Sequence, residues 1–416
     1  MFQRYKEAVS YIEALSNSSK NFDPSFFPKK MQYFLDLIGN PEKGLKYVHV
    51  TGTGGKGTVS AMIHGVLVAN SKSVGLFTSP YATTAIEEIK VGDSYISPED
   101  FADIVEYLKP FVEKASQNKE YGRPSAFNIF FAVALIYFKR QKCEWAVIEV
   151  GVGGRYDATN VIKNPKVAVI THIDLDHTDV LGKTIREIAL DKAGIIKNGS
   201  QFFTAEPRKS VRKLFERVCV EQGAVFHAAL PQESENSNKS LAGAVVRSLG
   251  ISDESIEKGL ASAKMPCRFE IMGEKPFIIL DGAHSRSKMR NTVSRLHGLS
   301  FKKLLVVIAI SNLNKDNINI FKEIMPVADH VILTSFNSSK RKSIHPNAVR
   351  PLLKNLSKKG AIIEEALSPQ KALVLAIKRA SKEDCVLATG SFFLSGELRK
   401  KWFSEDFILK HRRSFK

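Results

Sequence analysis

The four cysteines, Cys143, Cys219, Cys267 and Cys385, are too few and too scattered to form a disulfide framework, and no CxxC unit pairs two of them for zinc. Such usage suits a reducing cytoplasm, which is the expected location. Also missing is any run of 18 apolar residues, so no stretch is expected to span a bilayer as a helix. The N-terminal segment MFQRYKEAVSYIEAL carries Glu7 and Glu13 and reads as an amphipathic helix rather than a signal peptide. Neither an internal repeat nor a low-complexity segment occurs. Acidic residues fall short of basic ones, 43 Asp+Glu against 61 Lys+Arg, for a formal charge of +18. A field of that sign attracts nucleic acid, but equally ATP and polyanionic small substrates. The basic residues are spread along the chain without a nucleic-acid module beside them, so nucleic acid is not an expected partner. The short runs KRKS around Arg341 and KHRRSFK at the C-terminus are expected to be solvated.

With 416 residues the chain exceeds one comfortable core. From residue 45 to about 205, apolar runs alternate with helical patterns: Tyr47–Val50, Ser73–Phe77, Trp145–Val150, Val167–Thr171 and Gln201–Ala205. Continuous apolar strands between helices imply a parallel sheet covered on both faces. Phe127 to Lys139 reads as a buried helix whose aromatic stripe is core. A polar stretch, Pro231 to Lys239, marks a loop, followed by helices near 241–249 and 253–263. Lys264 to Cys267 contains a proline and has the character of a hinge. Beyond it a second alternation predicts strands Phe277–Leu280, Leu304–Ile310, His330–Thr334 and Val386–Thr389, with helices near 286–297, 315–325, 346–357 and 369–380. The expected fold class is α/β: a P-loop-type parallel-sheet domain over 1–264 and a smaller Rossmann-like domain over 265–416.

The stretch VHVTGTGGKGT, Val48 to Thr58, is the most informative in the chain. An apolar run feeds into a glycine loop, and the apolar stretch Val59 to Ala69 follows. Strand, glycine loop and helix form a phosphate site: Gly52, Gly54, Gly55 and Gly57, with Thr53 between them, let backbone amides approach an anion, and the helix N-terminus adds its dipole. Lys56 can reach terminal phosphates and Thr58 can hold Mg2+ through its hydroxyl. The expected ligand is ATP. Gly57 between Lys56 and Thr58 departs from the common Walker spacing. Three further donors stand at predicted strand ends: Ser79 after SVGLF, Glu149 ending WAVIEV, and His177 after VAVITHI. Open α/β sheets place ligands beyond this carboxyl edge, where such donors can converge on a metal.

The motifs continue in order over roughly 350 residues, far beyond accidental matching. They are Thr78-Ser79-Pro80, Gly153-Gly154-Arg155-Tyr156-Asp157-Ala158-Thr159-Asn160, Leu175-Asp176-His177-Thr178, Asp191-Lys192-Ala193-Gly194, Asp281-Gly282-Ala283-His284 and Thr389-Gly390-Ser391-Phe392. Together with the glycine loop they resemble the folylpolyglutamate synthase and dihydrofolate synthase family of the Mur ligase superfamily. The resemblance implies ATP-dependent ligation of L-glutamate to a folate- or dihydropteroate-like carboxylate through an acyl phosphate, by a monomer using Mg2+. It implies Mg2+ contacts at Ser79, Glu149 and His177, and a carbamylated Lys192 near the metal. It further implies an acceptor-lining loop at Asp157, Ala158 and Asn160, and adenine beside Asn238. Arg268 would reach the γ-phosphate when the domains close. Asp281 and His284 would serve around ATP and the incoming amino acid, with Ser391 and the Lys315-Asp316 loop on that face.

The departures cluster. The family's G-T-N-G-K-G-[ST] has Gly54 here in place of asparagine, and its TSPH becomes TSPY with Tyr81. Glu88 replaces an arginine, Asn128 stands in a changed aromatic–glutamate motif, and Ser285 follows DGAH in place of asparagine. Phosphate-handling residues are kept, whereas positions expected to face the acceptor have changed. Two rivals remain open: a ligase for another carboxylate, and a nucleotide-binding protein without catalysis.

Overall fold

A computed structural model describes residues 2–15, 23–231, 236–313, 318–336, 338, 342–353 and 355–415. Lys315, Asp316 and Arg341 lie outside them. The chain divides into two compact units, one of 1–81, 85–264 and 409–416, the other of 82–84 and 265–408. The break at 264/265 falls in the proline-bearing segment read as a hinge.

The first unit is built on eight strands, β1 (Lys46–Thr51), β2 (Val74–Phe77), β3 (Ile89–Val91), β4 (Ser94–Tyr95), β5 (Trp145–Glu149), β6 (Val167–Ile170), β7 (Gln201–Thr204) and β8 (Val225–Ala228). Their order is β4-β3-β2-β5-β1-β6-β7-β8. The six strands from β2 to β8 in that order pair in parallel, while β3 and β4 add an antiparallel edge. β5 is buried throughout and β1 at every residue after Lys46, as continuous apolar runs predict. The helix Ala126–Arg140 starts on a reciprocal Ser125/Asn128 capping box and buries eleven consecutive side chains from Asn128 to Phe138. Phe131 and Phe138 are fully buried, each contributing about 1.5–3 kcal/mol. No helix among the described residues is long and apolar enough to cross a membrane, and all four cysteines are free and buried.

The second unit carries β9 (Glu270–Glu274), β10 (Phe277–Leu280), β11 (Leu304–Ile308), β12 (His330–Leu333), β13 (Ile362–Glu365) and β14 (Cys385–Thr389) in the order β13-β12-β11-β14-β10-β9. Five strands are parallel, and β9 turns back antiparallel on β10. Of the helix expected over 315–325, the described residues show a short piece, Phe321–Ile324.

The C-terminus corrects two expectations. The second domain does not extend to 416, because residues after Ile408 pack on the first unit. Tyr95 N–H donates to the Arg412 carbonyl at 2.9 Å, and Arg412 Nε donates to the Tyr95 carbonyl at 2.7 Å. Ser414 is buried and its hydroxyl donates to Glu87. The tail is therefore anchored through Arg412 and Ser414, while Lys410, His411 and Arg413 stay exposed.

Candidate active site

All parallel strands of a sheet end at one edge, so the loops after β1, β2, β5 and β6 gather there. The glycine loop follows β1 and opens the helix Lys56–Ala69. Two of its glycines are required. Gly52 has φ 146°, and a Cβ there would collide with the Thr171 hydroxyl. Gly55 has φ 80° and caps the helix; its added Cβ would lie 2.6 Å from Asn238 Oδ1. Asn238, expected near the nucleotide, thus stands against the phosphate loop.

Two cations meet at this loop. Lys56 Nζ donates to the Gly52 carbonyl at 3.2 Å, and so does Lys192 Nζ, also at 3.2 Å. Lys192 ends the helix Ile185–Lys192 and is only 2% exposed. It is not a surface lysine. Two ammonium groups meeting on one carbonyl oxygen concentrate positive charge at the loop, where a bound anion would be favoured.

Glu149 is buried at the end of β5, and its Oε2 accepts from Ser79 N–H at 3.1 Å. The structure thus brings Glu149 and Ser79 together. Thr58 lies half-buried in the first turn after the loop. Hydroxyls from Thr58 and Ser79 with one carboxylate are hard oxygen donors, so this set fits Mg2+. His177 is placed differently: φ is 48°, its side chain is half-exposed, and Nε2 stands 3.8 Å from Asp176 Oδ1. No cluster of three His, Cys, Asp or Glu able to hold a metal occurs among the described residues.

Asp157 turns inward. Its Oδ2 accepts from Val152 N–H at 3.0 Å, and its Oδ1 from Thr159 N–H at 2.9 Å and the Thr159 hydroxyl at 2.5 Å. Burial pushes its pKa up, although these bonds pull it down. Asp157 therefore shapes the loop carrying the buried Ala158 and Asn160. Thr159 continues to His49 Nε2 at 2.8 Å, and burial lowers the His49 pKa to about 3.

Three of the changed positions, Tyr81, Glu88 and Asn128, also have structural partners. Glu88 is buried, and its Oε1 accepts from Tyr81 N–H at 3.0 Å. The Tyr81 hydroxyl donates to Glu13 at 2.5 Å, and burial raises its pKa. Asn128 caps its helix and donates to Met31 Sδ at 3.2 Å. Glu88 is accordingly not an open acidic wall of a pocket.

Sequence reasoning missed the segment after β6. Thr171 donates to the Gly54 carbonyl at 2.6 Å, and Thr53 N–H to the His172 carbonyl at 2.9 Å. Thr53 and Asp174 exchange bonds at 3.1 and 2.9 Å. Glu206, fully buried, accepts from Ile173 N–H at 2.8 Å and Arg208 Nε at 2.5 Å. A polar run directly after a parallel strand was the available signal.

In the second unit, Asp281 follows β10 and holds the Arg268 loop. It accepts from Phe269 N–H at 2.7 Å, Ala283 N–H at 3.0 Å and the Thr292 hydroxyl at 2.8 Å. Glu270 adds a bond from Cys267 N–H at 2.9 Å and pairs with the fully buried Arg399 at 2.8 Å. Between these anchors the Arg268 guanidinium lies 4.5 Å above the Phe392 ring. Among the described residues, His284 Nδ1 lies 2.8 Å from the Gly282 carbonyl and Nε2 3.0 Å from Lys288 Nζ. Ser391 caps the helix Phe392–Arg399 by accepting from Phe393 N–H.

A phosphate loop on one parallel sheet, followed by a second α/β unit with an anchored arginine, defines a class of nucleotide-dependent ligases, and comparison with known proteins agrees. Residues 50–213 match the Mur ligase middle domain, and residues 267–392 match the Mur ligase, glutamate ligase domain. The chain is 30% identical over 443 residues to the dihydrofolate synthase/folylpolyglutamate synthase of Bacillus subtilis, covering 96% of this chain and 100% of that one. It superposes on the Mycobacterium tuberculosis folylpolyglutamate synthase complexed with ADP with a TM-score of 0.85 at 25% identity, covering 95% and 98% of the two chains. The Thermotoga maritima folylpolyglutamate synthase gives 0.79 at 26% identity, covering 99% and 98%. The chain belongs to the dihydrofolate synthase/folylpolyglutamate synthase family.

Proposed function

We propose that this protein is an ATP-dependent carboxylate–amine ligase that adds L-glutamate to a folate-type acceptor. An acceptor carboxylate oxygen attacks the γ-phosphorus and ADP leaves; the glutamate nitrogen then attacks the acyl carbon, loses a proton, and phosphate leaves. The observation that carries this reading is the meeting of Lys56 and Lys192 on the Gly52 carbonyl inside the glycine loop. Lys56 stabilises charge spreading over the transferring phosphoryl group. Thr58, Ser79 and Glu149 would hold Mg2+, which neutralises phosphate charge when bound. In its own unit, Asp281 fixes the loop that presents Arg268, whose planar donors suit phosphate oxygens. His284 and Ser391 stand beyond β10 and β14 to receive the amino acid. The loop of Asp157 and Ala158 lines the acceptor side. We read the protein as a monomer acting on small molecules.

The second reading, a different carboxylate as acceptor, rests on Tyr81, Glu88 and Asn128. Phosphate release with glutamate, measured across dihydropteroate, tetrahydrofolate and unrelated carboxylic acids, separates the two. Turnover with either pterin supports the folate reading. ADP formation only with an unrelated acid replaces it, and no glutamate-dependent phosphate release with any acid overturns the ligase reading.

A further inference from the structure

The backbone at Gly54 is not left-handed, so conformation alone does not demand glycine there. Space does. A Cβ on Gly54 would lie 3.1 Å from His172 Cε1 and 3.6 Å from its Nε2. The first distance is shorter than an ordinary carbon–carbon contact of about 3.5–4.0 Å. The imidazole thus stands in the direction a side chain at 54 would take. The backbone that carries it has little freedom to leave. Thr171 is bonded to the Gly54 carbonyl, the His172 carbonyl accepts from Thr53 N–H, and Asp174 exchanges two bonds with Thr53. The bonded chain on both sides of His172 therefore runs along the glycine loop, and His172 itself is half-buried.

We propose that His172 is a positioning residue of the nucleotide loop, its ring occupying the side-chain place of residue 54, and that Gly54 and His172 act as a coupled pair setting nucleotide affinity. The inference rests on the glycine loop holding ATP. Burial keeps the imidazole below its ordinary pKa, against the pull of Glu206 and Asp174, so the ring is neutral at pH 7. A neutral ring packs on the uncharged Gly54 backbone without adding a third cation to Lys56 and Lys192.

The test is a double-mutant cycle on the full chain, reading ADP affinity by calorimetry and KM for ATP. Gly54→Asn alone should weaken ADP binding by about tenfold or more, since the new side chain and the ring claim one place. His172→Ala should raise KM for ATP several-fold, leaving KM for the acceptor and the melting temperature of the nucleotide-free protein unchanged. Adding His172→Ala to Gly54→Asn should recover most of the lost affinity. His172→Asn serves as the smaller polar variant if the alanine protein does not fold. Effects that multiply independently in the double mutant overturn the pairing while leaving ATP binding intact. A wild-type protein that binds no ADP overturns both the pairing and the nucleotide reading.

Discussion

Replacing Asp281 by asparagine removes a charge and one acceptor from a buried carboxylate that three donors share. Phe269 N–H uses Oδ2, while Ala283 N–H and the Thr292 hydroxyl use Oδ1. An amide has a single oxygen. Facing it toward Phe269 turns the NH2 group onto the Ala283 N–H; the reverse orientation turns it onto the Phe269 N–H. Thr292 can rotate its hydroxyl to accept, but a backbone N–H cannot. Either orientation strands one buried donor, at about 1–3 kcal/mol. That loss falls on a turn where Cys267 and Phe269 already hold φ of 55° and 53°, a conformation that costs non-glycine residues about 1–3 kcal/mol each. The Asp281→Asn protein should therefore lose about 1–3 kcal/mol in urea unfolding of the second unit. Its turnover should fall through a disordered Arg268 loop. Thr292→Ala, which strands no backbone donor, should cost less, about 1 kcal/mol. Far-UV and tryptophan-fluorescence unfolding curves, taken beside phosphate-release kinetics, check the pair. Wild-type stability with abolished turnover in Asp281→Asn would refute the bracing role and put the carboxylate in the chemistry itself.

Lys56→Ala should reduce turnover by at least ~100-fold with the melting curve intact, because it deletes charge from the phosphate site; near-normal ADP formation would remove the loop from the mechanism. Lys192→Ala should lose activity and regain part of it with added short carboxylates if the carbamylated form is the working one. Mass spectrometry of the intact chain under bicarbonate should then show one added CO2, absent in the variant; no rescue and no added mass would leave Lys192 a plain cation. His49 and His64 are buried, and burial lowers each pKa from 6.5 to about 3. Below pH 6.5 the unfolded chain binds protons that the folded one refuses, so stability falls as pH drops from 6.5 toward 3. Each histidine contributes a slope of about 1.4 kcal/mol per pH unit. His49→Gln should flatten the measured slope between pH 6 and 4, and an unchanged slope would count against a neutral buried His49.

The strands legible in the sequence are those buried on both faces, such as Leu304–Ile308 and Trp145–Glu149, where continuous apolar runs leave little alternative. Edge strands escaped it. β13 begins with the half-exposed Ile362, and β9, EIMGE, holds two glutamates and a glycine. Neither carries a buried-strand pattern, because only the neighbour's hydrogen bonds recruit it. The glycine loop was legible for a different reason: closely spaced glycines beside a lysine have few other uses. What the sequence could not divide was chemistry from bracing. Asp157, Asp281 and Glu149 are all buried acids at strand ends or in adjacent loops. Asp157 and Asp281 each take three local donors, two of them backbone N–H groups, and are consumed in holding loops. Glu149 accepts from Ser79 N–H, at a position where the two neighbouring strand ends, of β2 and β1, supply further polar groups. The partners that set these roles lie up to 70 residues away, as Ser79 does from Glu149. A motif names the residue type required at a position; whether that residue meets substrate or secures the one that does is decided by donors the linear order keeps apart.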